Sequence, residues 1–130
     1  MVQFGYTILY VTDVAKSVDF YEKSFGFTRK FISPDNDYAE LSTGSTTLSF
    51  ASLELANSNL KNGFLQSRLD QKPFAIEIGF VTDHVEKVLE KAVAEGANFV
   101  EPPKTKPWGQ TVAYLRDIDG FLIEICTPMG

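Results

Sequence analysis

The sequence predicts an α+β fold made of two tandem β-α-β-β-β modules, and three observations carry that expectation. Val11-Thr12-Asp13 recurs as Val81-Thr82-Asp83, seventy residues on, and the segments they open close at Gly26 and Gly96 on the same spacing. Val18 and Val88 keep that spacing inside the segments. Tyr38 to Gly44 and Tyr114 to Gly120 share a six-residue interval in the second part of each copy. Self-similarity at long period marks two copies of one supersecondary unit. Two half-domains that resemble each other imply a pseudo-twofold fold with a binding site where they meet.

Phe4 to Thr12 is rich in β-branched and aromatic residues and reads as a strand. Asp13, or Thr12 beside it, suits the N-cap of a helix over 14–25, whose Val14, Val18, Tyr21 and Phe25 recur at helical spacing. Gly26 supplies the left-handed residue that ends it. Phe27 to Ser33 is a short strand, Pro34 to Asp37 a turn, and Tyr38–Thr43 with Thr46–Ala51 a hairpin. This first module covers about 1–53. Residues 54–72 lose the periodicity and read as a linker, part of it helical or lying over the site, because a structureless stretch of that length is unusual.

The second module, about 73–130, repeats the order. Ala75–Val81 is a strand, and Asp83 or Thr82 caps a helix over 84–95. Its stripe is Val85, Val88, Leu89, Ala92 and Val93, and Gly96 stops it. Asn98–Glu101 is a short strand that Pro102-Pro103 terminates. Gln110–Arg116 and Phe121–Thr127 form the last hairpin through Asp117-Ile118-Asp119-Gly120.

At 130 residues the chain is one domain's worth, able to bury a core without staples. A formal charge of −5, spread along the chain, argues against nucleic acid or an anionic membrane as partner. No run reaches membrane-spanning length, and the start lacks a basic segment followed by an apolar one, so a cytoplasmic location is expected. The lone Cys126 forms no internal disulfide and fits a reducing compartment. Eleven Phe, five Tyr and one Trp exceed what is ordinary, leaving some to line a pocket.

Several local stretches carry a resemblance. They are Tyr10-Val11-Thr12-Asp13 with Ser17-Val18-Asp19-Phe20-Tyr21 and Phe25-Gly26-Phe27 in the first module. In the second they are Phe80-Val81-Thr82-Asp83, Ala94-Glu95-Gly96-Ala97, Pro107-Trp108-Gly109-Gln110, and Asp117 to Gly120 through Ile123-Glu124-Ile125. With the paired modules, they resemble the vicinal oxygen chelate superfamily of glyoxalases, extradiol dioxygenases, fosfomycin-resistance enzymes and bleomycin-resistance proteins. That family usually has Asp-Pro-Asp-Gly at the last turn, and Ile118 departs from it. The resemblance implies a pair of half-barrels holding ligand in the cleft between them, and a homodimer.

It also implies where a metal would sit, since metal-dependent members draw His and Glu from the first and last strand of each module. Those positions fall at Tyr6, at Glu77, at Glu124, and at Thr47, Leu48 or Ser49. This set is poor for zinc or nickel, which favour imidazole or thiolate. If a metal is held at all, Glu77 and Glu124 hold it, and magnesium or manganese suits them better. No cofactor is therefore expected. His84 stands at a helix start as an exposed residue, Cys126 has no activating neighbour in sequence, and no phosphate-binding glycine loop is present.

Without a metal, Glu77 and Glu124 read as a recognition pair for a cationic or hydroxyl-bearing ligand, or as a base poised by burial. The alternative is two strand glutamates facing solvent. Trp108, between Pro107 and Gly109, either stacks on a ligand or anchors its own loop. Tyr6, Phe50 and Tyr114 are wall candidates whose alternative is ordinary core. The expectation is a binding protein of the bleomycin-resistance type that holds a small amphipathic or aromatic molecule, cationic where the acids recognise it. The competing expectations are a metal-dependent lyase of the lactoylglutathione lyase type, an extradiol-type dioxygenase, or an interaction module with a vestigial cleft.

Overall fold

A computed structural model describes residues 1–129. Its elements run β1 (Thr7–Val11), α1 (Val14–Phe25), β2 (Thr28–Ile32), β3 (Tyr38–Ser42), β4 (Thr47–Ser52) and α2 (Leu53–Asn59), then β5 (Glu77–Val81), α3 (Val85–Ala94), β6 (Asn98–Thr105), β7 (Thr111–Arg116) and β8 (Leu122–Cys126). They fall into two compact units, Met1–Gln66 and a second beginning at Ser67. Each unit holds one four-stranded mixed sheet, ordered β1-β4-β3-β2 in the first and β5-β8-β7-β6 in the second. The expected α+β class and the repeated β-α-β-β-β order are both present. No helix among the described residues is long and apolar enough to cross a membrane.

In the first unit the strand alternation sends Leu9, Val11, Ala39, Leu41, Leu48 and Phe50 toward α1, and all are buried. Tyr21 of α1 meets Phe50 with ring centroids 5.1 Å apart, which fixes the helix side of the sheet. Asp13 caps α1 by accepting from the Lys16 amide at 3.1 Å, and Gly26 at φ 73° ends it in the left-handed region.

In the second unit Ala113, Leu115, Ile123 and Ile125 are fully buried beneath the apolar stripe of α3. The expected cap is corrected here. Neither Asp83 nor Thr82 occupies the N-cap; His84 does, without a side-chain bond to the helix, while Thr82 Oγ1 accepts from the His84 amide at 3.1 Å. From Asp13 to His84 is seventy-one residues, one more than the triplet spacing. Val14, Val18 and Tyr21 therefore answer to Val85, Leu89 and Ala92, all buried, and not to the residues seventy on. Val93, expected in the stripe, is 41% exposed. Glu95 rather than Gly96 closes this helix, with Gly96 following at φ 114°.

A second correction concerns Pro102-Pro103, which does not end β6. The strand continues to Thr105, with register shifts between Phe99 and Glu101 and between Glu101 and Lys104. Proline has no N–H for a ladder, and β6 tolerates two because it is an edge strand, with bulges absorbing the misfit. The expected linker is likewise divided. Its first part forms α2, capped by Ser52 Oγ accepting from the Leu55 amide at 3.0 Å. Its last part belongs to the second unit, where Arg116 donates to the carbonyls of Gly120, Gln71 and Arg68 at 2.9, 2.9 and 2.8 Å. Gly120 is required at this junction: its φ is 95°, and a Cβ there would lie 2.9 Å from Arg116 Nη2.

The unequal caps give a direct check. Asp13→Ala should lower stability by about 1 kcal/mol through loss of its cap bond, whereas Asp83→Ala should change it little. Urea unfolding midpoints of the two variants measure the contrast, and equal losses would contradict the displaced helix start.

Candidate functional site

The sheet of the second unit has a polar face turned away from α3. Residues paired across strands share a face, so Gly79 with Glu124, and Tyr114 with Glu124, fix its membership. Glu77, two residues before Gly79, lies on the same side. The strands thus bring together three of the six expected site residues, Glu77, Glu124 and Tyr114, from β5, β8 and β7.

The Tyr114 hydroxyl donates to Glu124 Oε1 at 3.0 Å. A Cβ on Gly79 would lie 3.8 Å from Glu124 Oε2, so the glycine leaves the floor beside the carboxylate low. Desolvation first, then Glu124 as an acceptor for its proton and as a nearby negative charge, raise the Glu77 carboxyl above its ordinary value, while the Tyr114 hydroxyl pulls the other way. Glu77 and Glu124 stand on adjacent strands of one face, and like charges so placed resist joint ionisation. Tyr114 is pushed up to about 12, chiefly by desolvation and then by its bond to Glu124. It stays a phenol and a donor at neutral pH. Cys126, on the same face, is buried, and burial followed by Glu124 pushes its thiol up to about 11. A thiol so protonated is no nucleophile.

Trp108 sits in the β6–β7 connection and is 63% exposed. Its indole N–H donates to Gln110 Oε1 at 2.8 Å, and Gln110 Nε2 donates to the Thr127 carbonyl at 3.0 Å. The ring is thereby oriented at its polar edge while its faces stay free of the core. Gln110 was not among the expected site residues; no periodic pattern marks a residue that acts by steering its neighbour. Gly79 was also missed, although glycine inside a strand is itself a sign of close approach.

The remaining expected residues lie elsewhere. Phe50 is completely buried against Tyr21 and belongs to the core of the first unit, so it offers no ligand surface. Tyr6 precedes β1 and is 54% exposed. Register now resolves the counterpart of Glu124. Leu9 pairs with Phe50 as Phe80 pairs with Ile125, which makes Ser49 the equivalent of Glu124, Tyr6 of Glu77 and Glu40 of Tyr114. Ser49 Oγ is buried without a hydrogen-bond partner among the described residues. It lies beside the Tyr38 phenol, whose pKa burial raises and Ser49 tempers. Glu40 accepts from the Tyr38 hydroxyl at 2.8 Å.

These donors do not fit a zinc or nickel ion. The polar face of the second sheet supplies two carboxyls and a phenol, the equivalent positions in the first unit supply a phenol, a hydroxyl and the Glu40 carboxylate, and no imidazole stands at any of them. His84 is an exposed helix cap. Among the described residues no cluster of three His, Cys, Asp or Glu is arranged to hold a metal.

Comparison with known proteins places this geometry. The sequence profile of the Glyoxalase/Bleomycin resistance protein/Dioxygenase superfamily matches residues 3–125. A glyoxalase-related enzyme from Fulvimarina pelagi is similar over 98% of this chain and 89% of its own, with 21% identity and a TM-score of 0.83. A glyoxalase/bleomycin resistance protein/dioxygenase family enzyme from Burkholderia phytofirmans PsJN is similar over 97% of this chain and 98% of its own, at 22% identity and TM-score 0.80. TioX from Micromonospora sp. ML1 is similar over 97% and 98%, at 22% identity and TM-score 0.71. At these identities the structures establish a shared fold. No curated protein sequence matches the chain.

The coupled pair predicts its own titration. Because Glu77 is raised in the folded state, its favourable contribution is present in acid and is lost as pH rises through the raised value. Glu77→Gln should therefore stabilise the fold at neutral pH, with a gain that disappears below pH 4.5, the ordinary value. In Glu124→Gln, carboxyl NMR should show the Glu77 midpoint falling toward that value without reaching it, since desolvation remains. An unmoved midpoint would dissolve the pair.

Proposed function

The chain belongs to the Glyoxalase/Bleomycin resistance protein/Dioxygenase superfamily, and we propose that it is a binding member which holds a small amphipathic or aromatic cation without help from a metal. The observation that carries this reading is the apposition of Glu77 and Glu124 under the Tyr114 hydroxyl. Two carboxyls that resist joint ionisation are relieved by a positive charge placed between them, so the site is already arranged for a cation. A charged hydrogen bond to such a group is stronger than a neutral one. Trp108 supplies an oriented aromatic surface, for which cations and planar groups both have affinity.

Catalysis is not needed to account for these residues. Cys126 is held as a thiol, Tyr114 as a phenol, and the expected metal positions carry no imidazole. The same reading includes a homodimer. Phe4, Ile76 and Val81 are 78%, 68% and 64% exposed, and each sheet has two unpaired edges. Apolar surface and free strand edges of this kind are commonly covered by a second copy. Sedimentation at micromolar concentration should give the mass of two chains; a monomer there would remove this part of the proposal.

The test of binding uses 4-phenylbutylamine and its neutral counterpart 4-phenylbutanol. The amine should bind more tightly, and its affinity should rise with pH through the Glu77 titration and then level off, because ionising Glu77 favours the cation. Glu124→Gln should weaken the amine by about 1–3 kcal/mol and the alcohol much less. Trp108→Ala should weaken both by about 1–3 kcal/mol, as loss of a stacking surface does. A stoichiometric zinc or nickel ion in purified protein, with lyase turnover abolished by Glu124→Gln, would replace the binding reading with a metalloenzyme.

A further inference from the structure

Tyr114 stands between two environments of opposite charge. On its β8 side is the carboxyl pair; on its β6 side its ring lines a cavity of about 410 Å³ whose other walls are Glu101, Pro102, Lys104, Lys106 and Val112. The bulged path of β6 creates this second environment. The extra residue between Glu101 and Lys104 lets Glu101 pair with Tyr114 while Lys104 pairs with Val112, so both side chains share the face that carries Glu124. Lys106 follows at the start of the turn that presents Trp108, and it is half-buried.

Neither lysine side chain has an ion-pair or hydrogen-bond partner among the described residues. Glu101 lines the same cavity, yet it is exposed and forms no ion pair with either. Two ammonium groups against one carboxylate leave this end positive. Lys104 is exposed and Lys106 half-buried as a residue, and an anion that reaches both ammonium groups gains two charge-assisted hydrogen bonds. The β5–β8 end is negative. The face is therefore polar along the direction that crosses the strands, with Tyr114 at the boundary.

We propose that this face has two subsites and takes a zwitterion, with its cationic group at Glu77 and Glu124 and a carboxylate-like group at Lys104 and Lys106. The proposal deepens the cation-binding reading above and rests on it. Lys104 lies two strand spacings from β8 and, opposite Val112, two residues along the strand from the Tyr114–Glu124 pair, so the ligand's charges lie roughly 12 Å apart. That separation excludes a simple α-amino acid, whose charges are adjacent, and fits an ω-amino acid or a short peptide-like molecule. Tyr114, a donor on β7, faces the middle of such a chain.

The experiment is calorimetric titration of the full chain with 8-aminooctanoate, octylamine and octanoate, which share a chain length and differ only in their ends. The zwitterion should bind at least ten-fold more tightly than either singly charged probe. Lys104→Gln combined with Lys106→Gln should bring it down to the affinity of octylamine, and the affinity of octylamine itself should not fall. Glu124→Gln should bring it toward octanoate. Both variants alter surface-facing side chains, and unchanged circular dichroism will show that they fold. Equal binding of octylamine and 8-aminooctanoate overturns the two-subsite proposal while leaving cation binding in place. Tighter binding of octanoate than octylamine, or no binding of any probe at millimolar concentration, overturns the cation reading and the proposal together.

Discussion

Each unit pairs its first strand with its last in parallel, β1 on β4 and β5 on β8, and the rest of the arrangement depends on that pairing. Parallel neighbours cannot be joined by a tight turn, so the chain must leave the sheet and return. It leaves through a helix, which covers one face with the apolar alternates of every strand. It returns through β2–β3 or β6–β7, whose hairpin with the last strand completes the sheet. The opposite face is not covered by that helix, and polar side chains can collect there. Glu77 and Glu124 are distant in sequence but stand on adjacent strands for this reason alone.

That adjacency sets the electrostatics. Glutamates on neighbouring strands of one face repel, and partial desolvation makes the repulsion count for more than it does in water. The face answers with the Tyr114 donor and the low floor at Gly79, neither of which removes the excess negative charge. Across the sheet, on β6 and just beyond it, Lys104 and Lys106 present the opposite sign.

The two copies have kept their scaffold and diverged in their donors. Core positions correspond closely: Leu9 and Phe80, Phe50 and Ile125, Val18 and Leu89. Their polar faces do not, since Ser49 stands where Glu124 does, Tyr6 where Glu77 does, and Glu40 where Tyr114 does. Packing against the helix constrains volume on the helix side, and the far face does not share that constraint.

Much of this was legible in the sequence. Periodicity located two of the three helices and seven of the eight strands to within a residue or two at most ends, because burying one face demands a fixed alternation of apolar residues. Local motifs identified the superfamily, the ligand positions implied by that resemblance brought Glu77 and Glu124 forward, and Tyr114 came forward as an aromatic wall candidate. Register was not legible. The triplet Val-Thr-Asp repeats at seventy residues, yet the helices it precedes correspond at seventy-one, since capping by Asp13 is replaced by an uncapped start at His84. One residue of slip exchanges the faces of a strand, so only hydrogen-bonded pairing could show that Ser49 answers to Glu124 and that Phe50 is core. The extension of β6 through Pro102-Pro103 was equally hidden, because whether proline ends a strand depends on which edge of the sheet that strand occupies. What the sequence determined by itself was which residues seek burial; which polar residues then stand side by side was decided by the pairing of strands far apart in the chain.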